Sequence, residues 1–232
     1  MTRSEDIRND IRDVYDRIAP YFAETRERVW PPTMELVRER SPCTLGDLGC
    51  GSGRALIEAA RQGCRVIGID SSEGQLEVAG KSLEAAGYGR DSTLLLGDLV
   101  SLPLEDRALD VCLMIAVLHH LPGEDERVLA LEEAYRVTRP GGVLQVSVWT
   151  WDQDRFRERH LSRIEGGRDP DELDGPLPGD QFVPWKRGSI AMRFYHLYGH
   201  GELECEISRS TWTLQRSFFD GRNHWVECFR PP

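Results

Sequence analysis

Lysine is almost missing from this chain of 232 residues: only Lys81 and Lys186 occur, and arginine supplies the rest of the positive charge. Acids outnumber bases by 39 to 29, so the formal net charge of −10 argues against casual binding to nucleic acid. No apolar run reaches the roughly 18–20 residues that a membrane span needs, and no membrane partner is expected. The six cysteines (43, 50, 64, 112, 205 and 228) form no C-x-x-C pair. Several fall in apolar, strand-like runs, so buried free thiols in a reducing cytoplasm are expected, and no metal site is. The opening segment MTRSEDIRNDIRDVYDRIAP is charged and amphipathic, unlike a signal or transit peptide.

Periodicity switches repeatedly between apolar runs and amphipathic helical patterns, which predicts an α/β sheet protein. Helices are expected at 4–18, 31–40, 54–62, 73–86 and 124–138, the last stopped by Pro140-Gly141-Gly142. Strands are expected at 44–48, 64–70, 92–97, 109–115 and 143–149. Residues 152–192 are charged and rich in glycine and proline, and read as a mobile insertion. A helix near 196–206 should follow, then a β-hairpin of 211–219 and 224–229 around Asp220-Gly221-Arg222-Asn223. The expected organisation is one domain over 1–232. It comprises a helical cap (1–43), a cofactor-binding core (44–151), a substrate-side insertion (152–192), and a C-terminal helix and hairpin (193–232).

The most informative segment is DLGCGSG, Asp47 to Gly53, between the first strand and the helix at 54–62. Gly49, Gly51 and Gly53 allow a sharp turn and close approach of a ligand. Arg54 stands where the dinucleotide fingerprint requires glycine, so G-x-G-x-x-G is absent. Asp47 at the loop mouth would repel a pyrophosphate and suits a cationic, amino-bearing ligand. The next strand ends in Asp70, seventeen residues beyond Gly53, where a carboxylate accepts from both ribose hydroxyls. The third strand ends in Gly97-Asp98-Leu99; Asp98 suits an adenine amino group and a neighbouring amide the ring. A lone strand-end aspartate is more often a cap or turn former. Three in order point instead to S-adenosylmethionine, with Leu99 and Ile115 completing the cofactor set.

With these motifs in order, residues 44–149 resemble the class I S-adenosylmethionine-dependent methyltransferases. The resemblance implies a seven-stranded, mostly parallel sheet with helices on both faces and a C-terminal antiparallel hairpin. Two acceptor chemistries are disfavoured by absence. No N-P-P-F/Y motif follows the fourth strand, where the chain reads Ile115-Ala116-Val117-Leu118-His119-His120, and no Pro-Cys nucleophile is present. His119 and His120 are candidates for a general base or for packing.

Outside the core, YDRIAPYFAETRERVWP (15–31), SVWTWDQ (147–153), GDQFVPW (179–185) and RFYHLYGHGEL (193–203) are distinctive. Together with the hairpin, these resemble the tRNA wobble-uridine carboxymethyl O-methyltransferases of eukaryotes and archaea, from about residue 14 onward. The resemblance implies catalytic positions at Arg26, His119, Asp180, Arg193 and His196. It implies substrate positions at Trp30, Trp149, Val183, Pro184, Trp185 and Tyr195; Phe194 stands where that family often has tyrosine. It also implies a tRNA anticodon loop as substrate and a small zinc-binding activator protein on the apolar third strand, giving a heterodimer. A carboxymethyl group is already ionised at neutral pH, so its methylation needs alignment rather than a base. Two other readings stand beside this one: a small-molecule methyltransferase using 152–192 as a lid, and a cofactor-binding scaffold without activity.

Overall fold

A computed structural model describes residues 3–25, 28–153, 156 and 179–232. Among them lie helices α1 (Arg3–Glu24), α2 (Pro31–Arg40), α3 (Arg54–Arg61), α4 (Glu73–Ala85), α5 (Glu124–Val137) and α6 (Glu202–Arg209). The strands are β1 (Thr44–Leu48), β2 (Arg65–Asp70), β3 (Ser92–Leu96), β4 (Leu109–Ile115), β5 (Thr138–Trp149), β6 (Asp180–Trp185), β7 (Ala191–His196), β8 (Thr213–Phe219) and β9 (Asn223–Phe229). Seven form one sheet in the order β3-β2-β1-β4-β5-β9-β8. The first five are parallel; β9 runs antiparallel between β5 and β8. This is the expected sheet.

A central parallel strand is buried on both faces and so reads as one apolar run rather than an alternation. LDVCLMI in β4 shows why: Cys112 and Met114 join a core with α5 and α6, while Val111 and Leu113 join one with α2 and α3. The strand order leaves the carboxyl ends of β1, β2, β3 and β4 side by side, the usual place for a ligand crevice in such sheets.

Helix α1 closes that crevice from above. It runs through Pro20 to Glu24, beyond the expected end at residue 18. Asp16 Oδ1 accepts from Ser72 Oγ (2.6 Å) and the Gly74 amide (2.9 Å), while Ser72 Oγ accepts from the Gln75 amide and caps α4. One carboxylate thus clamps α1 to the start of α4.

The main correction falls after residue 179. The helix expected near 196–206 is displaced toward the C-terminus: Ala191–His196 is a strand, paired antiparallel with Asp180–Trp185 in a separate two-stranded sheet. The helix begins at Glu202, after Gly201 in the left-handed region at its N-cap. Residues 180–185 of the expected insertion are therefore ordered strand; residues 154, 155 and 157–178 of it lie outside the described residues. Thr138–Trp149 also begins five residues earlier than expected, passing through a bulge between its pairings to Leu109 and Val111.

Candidate active site

A cavity of about 540 Å³ opens over the strand ends, walled by α1, the glycine loop and Trp30. The loop is shaped by its backbone. The Gly49 and Cys50 amides both donate to Ile69 O (2.7 and 3.0 Å), folding β1 back over β2. Gly49 has φ +84°, and a Cβ there would meet Val117 Cγ2 at 2.3 Å, so only glycine fits. Asp47, Gly49, Gly51, Asp70, Asp98, Leu99 and Ile115 all line the cavity; Gly53 lies behind it as the N-cap of α3.

The three aspartates sit in different environments. Asp47 is buried, which lifts its pKa to about 7, with Arg54 pulling down and Asp70 pushing further up. Burial likewise lifts Asp70 to about 6, opposed by hydrogen bonds from the Ser72 and Gly51 amides. Those amides take one site on each Asp70 oxygen (3.0 and 2.9 Å), fixing the carboxylate's plane and leaving further acceptor capacity toward the cavity. Asp98 is half-exposed, accepts from the Val100 amide at 3.2 Å and lies 3.8 Å from Arg8 of α1. A buried carboxyl, Asp47, and a half-buried one, Asp70, held in reserve suit a ligand that brings a cation and hydroxyl donors. Fit to S-adenosylmethionine, which carries an ammonium, a sulfonium and a ribose, therefore rests on this donor set.

On the opposite wall His119, Trp149 and Tyr195 are stacked. The Tyr195 ring lies 4.4 Å from Trp149 at 9° and 5.0 Å from His119 at 29°, centre to centre. His119 is 1% exposed, and its Nδ1 accepts the Trp149 amide at 3.1 Å. A backbone N–H can only donate, so neutral His119 carries its proton on Nε2 and serves as a donor, not a base. His120 is the opposite tautomer: Nδ1 faces the Phe194 carbonyl (2.8 Å) and must donate, so Nε2 accepts from Tyr15 Oη (2.9 Å). It ties β7 to α1.

The remaining family positions are brought near the cavity but not into it. Trp185 packs with Val14, Ile18 and Ala191, and Nε1 donates to Arg187 O at 2.6 Å. Val183 is half-buried against the Trp149–Tyr195 cluster; Pro184 is exposed. Arg193 is sandwiched, its guanidinium 5.1 Å from the Trp185 ring centre and 5.3 Å from Tyr195. It is 6% exposed, its Nε has no hydrogen-bond partner, and no carboxylate pairs with it among the described residues. Arg26 lies outside the described residues.

Asp180 and His196 belong to a buried chain of charges on the far side of β7. His196 Nδ1 contacts Asp180 Oδ1 (2.8 Å) and Nε2 contacts Glu202 Oε1 (2.6 Å). Arg127 continues the chain, 3.6 Å from Glu202 and 2.6 Å from Glu206, which also accepts from Tyr198 Oη at 2.8 Å. Burial pulls the His196 pKa down, but the hydrogen bonds to Asp180 and Glu202 outweigh it and the net shift is upward. With a carboxylate on each nitrogen, the ring is an imidazolium that fastens β6 and β7 to α6. Neither Asp180 nor His196 lines the cavity.

Sequence reasoning did not single out Gln75, Thr33 or Arg8 and used Arg54 only to exclude the dinucleotide fingerprint, yet all four line the cavity. The signal was an amphipathic α1 for Arg8 and a polar residue in the first turn of α4 for Gln75.

Sheet order, glycine loop and strand-end acids define the class I methyltransferase architecture. The family described as "Methyltransferase domain" matches residues 46–146. Among curated relatives, the "tRNA (carboxymethyluridine(34)-5-O)-methyltransferase alkbh8" of Xenopus tropicalis is 27% identical over 94% of this chain. This chain spans 40% of that relative's length. A methyltransferase structure from Methanosarcina mazei, described as SAM-dependent, superposes with TM-score 0.69 at 19% identity, covering 89% of this chain and 100% of that one. A methyltransferase of Haloferax volcanii, solved in complex with the Trm112 methyltransferase activator, gives 0.63 at 19% identity, covering 96% and 98%.

Proposed function

We propose that this protein transfers the methyl group of S-adenosylmethionine to the carboxylate of a 5-carboxymethyl-type uridine at the tRNA wobble position, forming the methyl ester. The observation that carries this reading is Arg193: a buried guanidinium without a carboxylate partner among the described residues, pressed against the Tyr195 ring that lines the cavity. A cation left uncompensated in so dry a place is costly unless an anion joins it. The name of the frog relative supports the same acceptor. When bound, the cofactor supplies an electrophilic methyl on sulfur. Asp47 balances its ammonium, Asp70 takes ribose hydroxyls, and Asp98 takes the adenine amino group. Arg193, with Arg26 as the expected second cation, holds one oxygen of the acceptor carboxylate and leaves the other to attack. His119 donates from Nε2 and orders the wall. No proton has to be removed from the nucleophile. Mass analysis of nucleosides from tRNA incubated with labelled cofactor tests the assignment: a labelled methyl ester on carboxymethyluridine supports it, and label on any other position overturns it.

Asp47 gives this site a defined pH dependence. The bound ammonium needs the carboxylate, yet the free side chain holds its proton up to about pH 7. Affinity for S-adenosylhomocysteine should therefore fall as pH drops through 7, by roughly tenfold between pH 8 and pH 6. Asp47→Asn should bind weakly with a flat profile over that interval in calorimetry.

Strand β3 lies at the open edge of the sheet, and Leu96 on it is exposed. SerThrLeuLeuLeu contains no lysine, proline or charge to block pairing with another chain. We assign this edge to a small zinc-binding activator that adds its own strand and forms a heterodimer. Thr93→Pro should abolish co-purification with such a partner while leaving cofactor affinity intact, since Thr93 does not line the cavity. Equal solubility and activity of the isolated chain would remove the partner from the account.

A further inference from the structure

Among the described residues, Gln75 is the buried acceptor in the cavity wall left without a hydrogen-bond partner. It occupies the first turn of α4, is 1% exposed and lines the cavity. Its amide N–H is held by the Ser72 cap at 3.0 Å, which fixes the side chain's root. Its Nε2 faces the Tyr15 carbonyl of α1 at 3.5 Å. Turning the amide over would set two oxygens against each other, so the nitrogen belongs on that side and Oε1 on the other. Oε1 has no partner. A buried acceptor left unmade is costly, so its retention asks for a donor supplied from the cavity.

The neighbours of Oε1 say which donor. A Cβ built on Gly51 would stand 3.7 Å from Gln75 Oε1 and meets no other atom within 4 Å. The Gly51 amide, on the other side of the same residue, donates to Asp70 Oδ2 at 2.9 Å. Two acceptors thus flank one glycine: a carboxylate already spending one site per oxygen on amides, and a neutral amide oxygen that spends none. A ribose edge carries two hydroxyl donors side by side. Neutral Gln75 is also a poor partner for the ammonium, which Asp47 already serves.

Resting on the reading that the cavity takes an adenosyl cofactor, we propose that Gln75 is a second ribose-reading residue, sharing with Asp70 the recognition of the vicinal hydroxyls. Because its nitrogen bonds to α1, it also couples ribose recognition to closure of that helix.

The test uses two ligands, S-adenosylhomocysteine and 5′-methylthioadenosine, with calorimetry, and thermal melting of the unliganded protein. Gln75→Met keeps the length and loses the acceptor; Gln75→Leu is the second variant. Both should raise Kd by about three- to tenfold for both ligands alike, the range of one neutral hydrogen bond. The unliganded melting temperature should hold or rise, since an unmade acceptor has gone. Loss confined to S-adenosylhomocysteine would place Gln75 at the amino-acid end and overturn the proposal. Unchanged Kd with a lowered melting temperature would make the residue merely structural and overturn it too. Failure of the unaltered protein to bind either ligand would overturn the cofactor reading itself, a distinct result.

Discussion

Arg127→Met is expected to lower the melting temperature by roughly 6–20 °C. Arg127 is fully buried between Glu202 and Glu206, and NH1 also donates to Leu121 O at 3.3 Å. Removing one partner of a buried ionic network strands the others, which costs about 3–5 kcal/mol, and each kcal/mol moves the midpoint of a chain this size by about 2–4 °C. The loss should shrink as pH falls, because burial already lifts the Glu206 pKa and a proton can replace the missing cation. The unaltered protein carries its own pH dependence from His196 and, in the other direction, from Glu202. A histidine whose folded pKa is raised gives stability that is complete below the unfolded value near 6.5 and fades as pH climbs through the folded one. Glu202, held below the usual range by His196 against burial that raises it, gives stability lost at acid pH. A melting curve that Arg127→Met leaves within 2 °C would show that water reaches this chain of charges.

Arg193→Met should cut kcat/KM for carboxymethyluridine tRNA by about 10–150-fold, equivalent to a lost charge-assisted hydrogen bond of roughly 1.5–3 kcal/mol. Affinity for S-adenosylhomocysteine should stay within about twofold, since Arg193 lies near the cavity without lining it. Lysine should rescue little. A flat guanidinium fills the slot between the Trp185 and Tyr195 rings, and an ammonium offers neither the plane nor the paired donors. Arg26→Ala is expected to act in the same direction. If Arg193→Met lowers both parameters together with the melting temperature, the residue supports the hairpin and the acceptor reading loses its main support.

The parallel half of the fold was legible because its signals are local. Strand runs such as CRVIGID are short and apolar on both faces, the start of α4 carries the Ser72 cap, and the glycines of DLGCGSG announce a turn whose reason, the approach of Val117 to Gly49, lies just past the end of the neighbouring strand β4. The three strand-end acids were legible for the same cause, since topology alone brings them together. The stretch around 180–206 was not. DQFVPW and AMRFYH become strands by pairing with each other, register Asp180 to His196, and their charges, with the flanking Gly179 and Gly188, resemble a loop until that pairing is seen. The roles of Asp180 and His196 also depend on Glu202 and Arg127, the latter far away in sequence on α5. Gln75 stayed hidden because a polar residue in a first helical turn looks like an ordinary solvated position; only the crossing of α1 buries it.

The most direct measurement compares two forms of one tRNA as acceptors of labelled methyl from S-adenosylmethionine: one with a carboxymethyl group on the wobble uridine, one with the neutral carbamoylmethyl group. Initial rates are followed between pH 5.5 and 8.5, and the product is treated with mild alkali. The account expects label only on the carboxymethyl form, released by alkali as a methyl ester. It expects no added rising limb near pH 6.5 beyond that of cofactor binding, which saturating cofactor removes, and His119→Ala should change the rate without changing the profile's shape. Transfer to both forms, alkali-stable label, or a steep rise through pH 6.5 that vanishes in His119→Ala would contradict carboxylate methylation without a base.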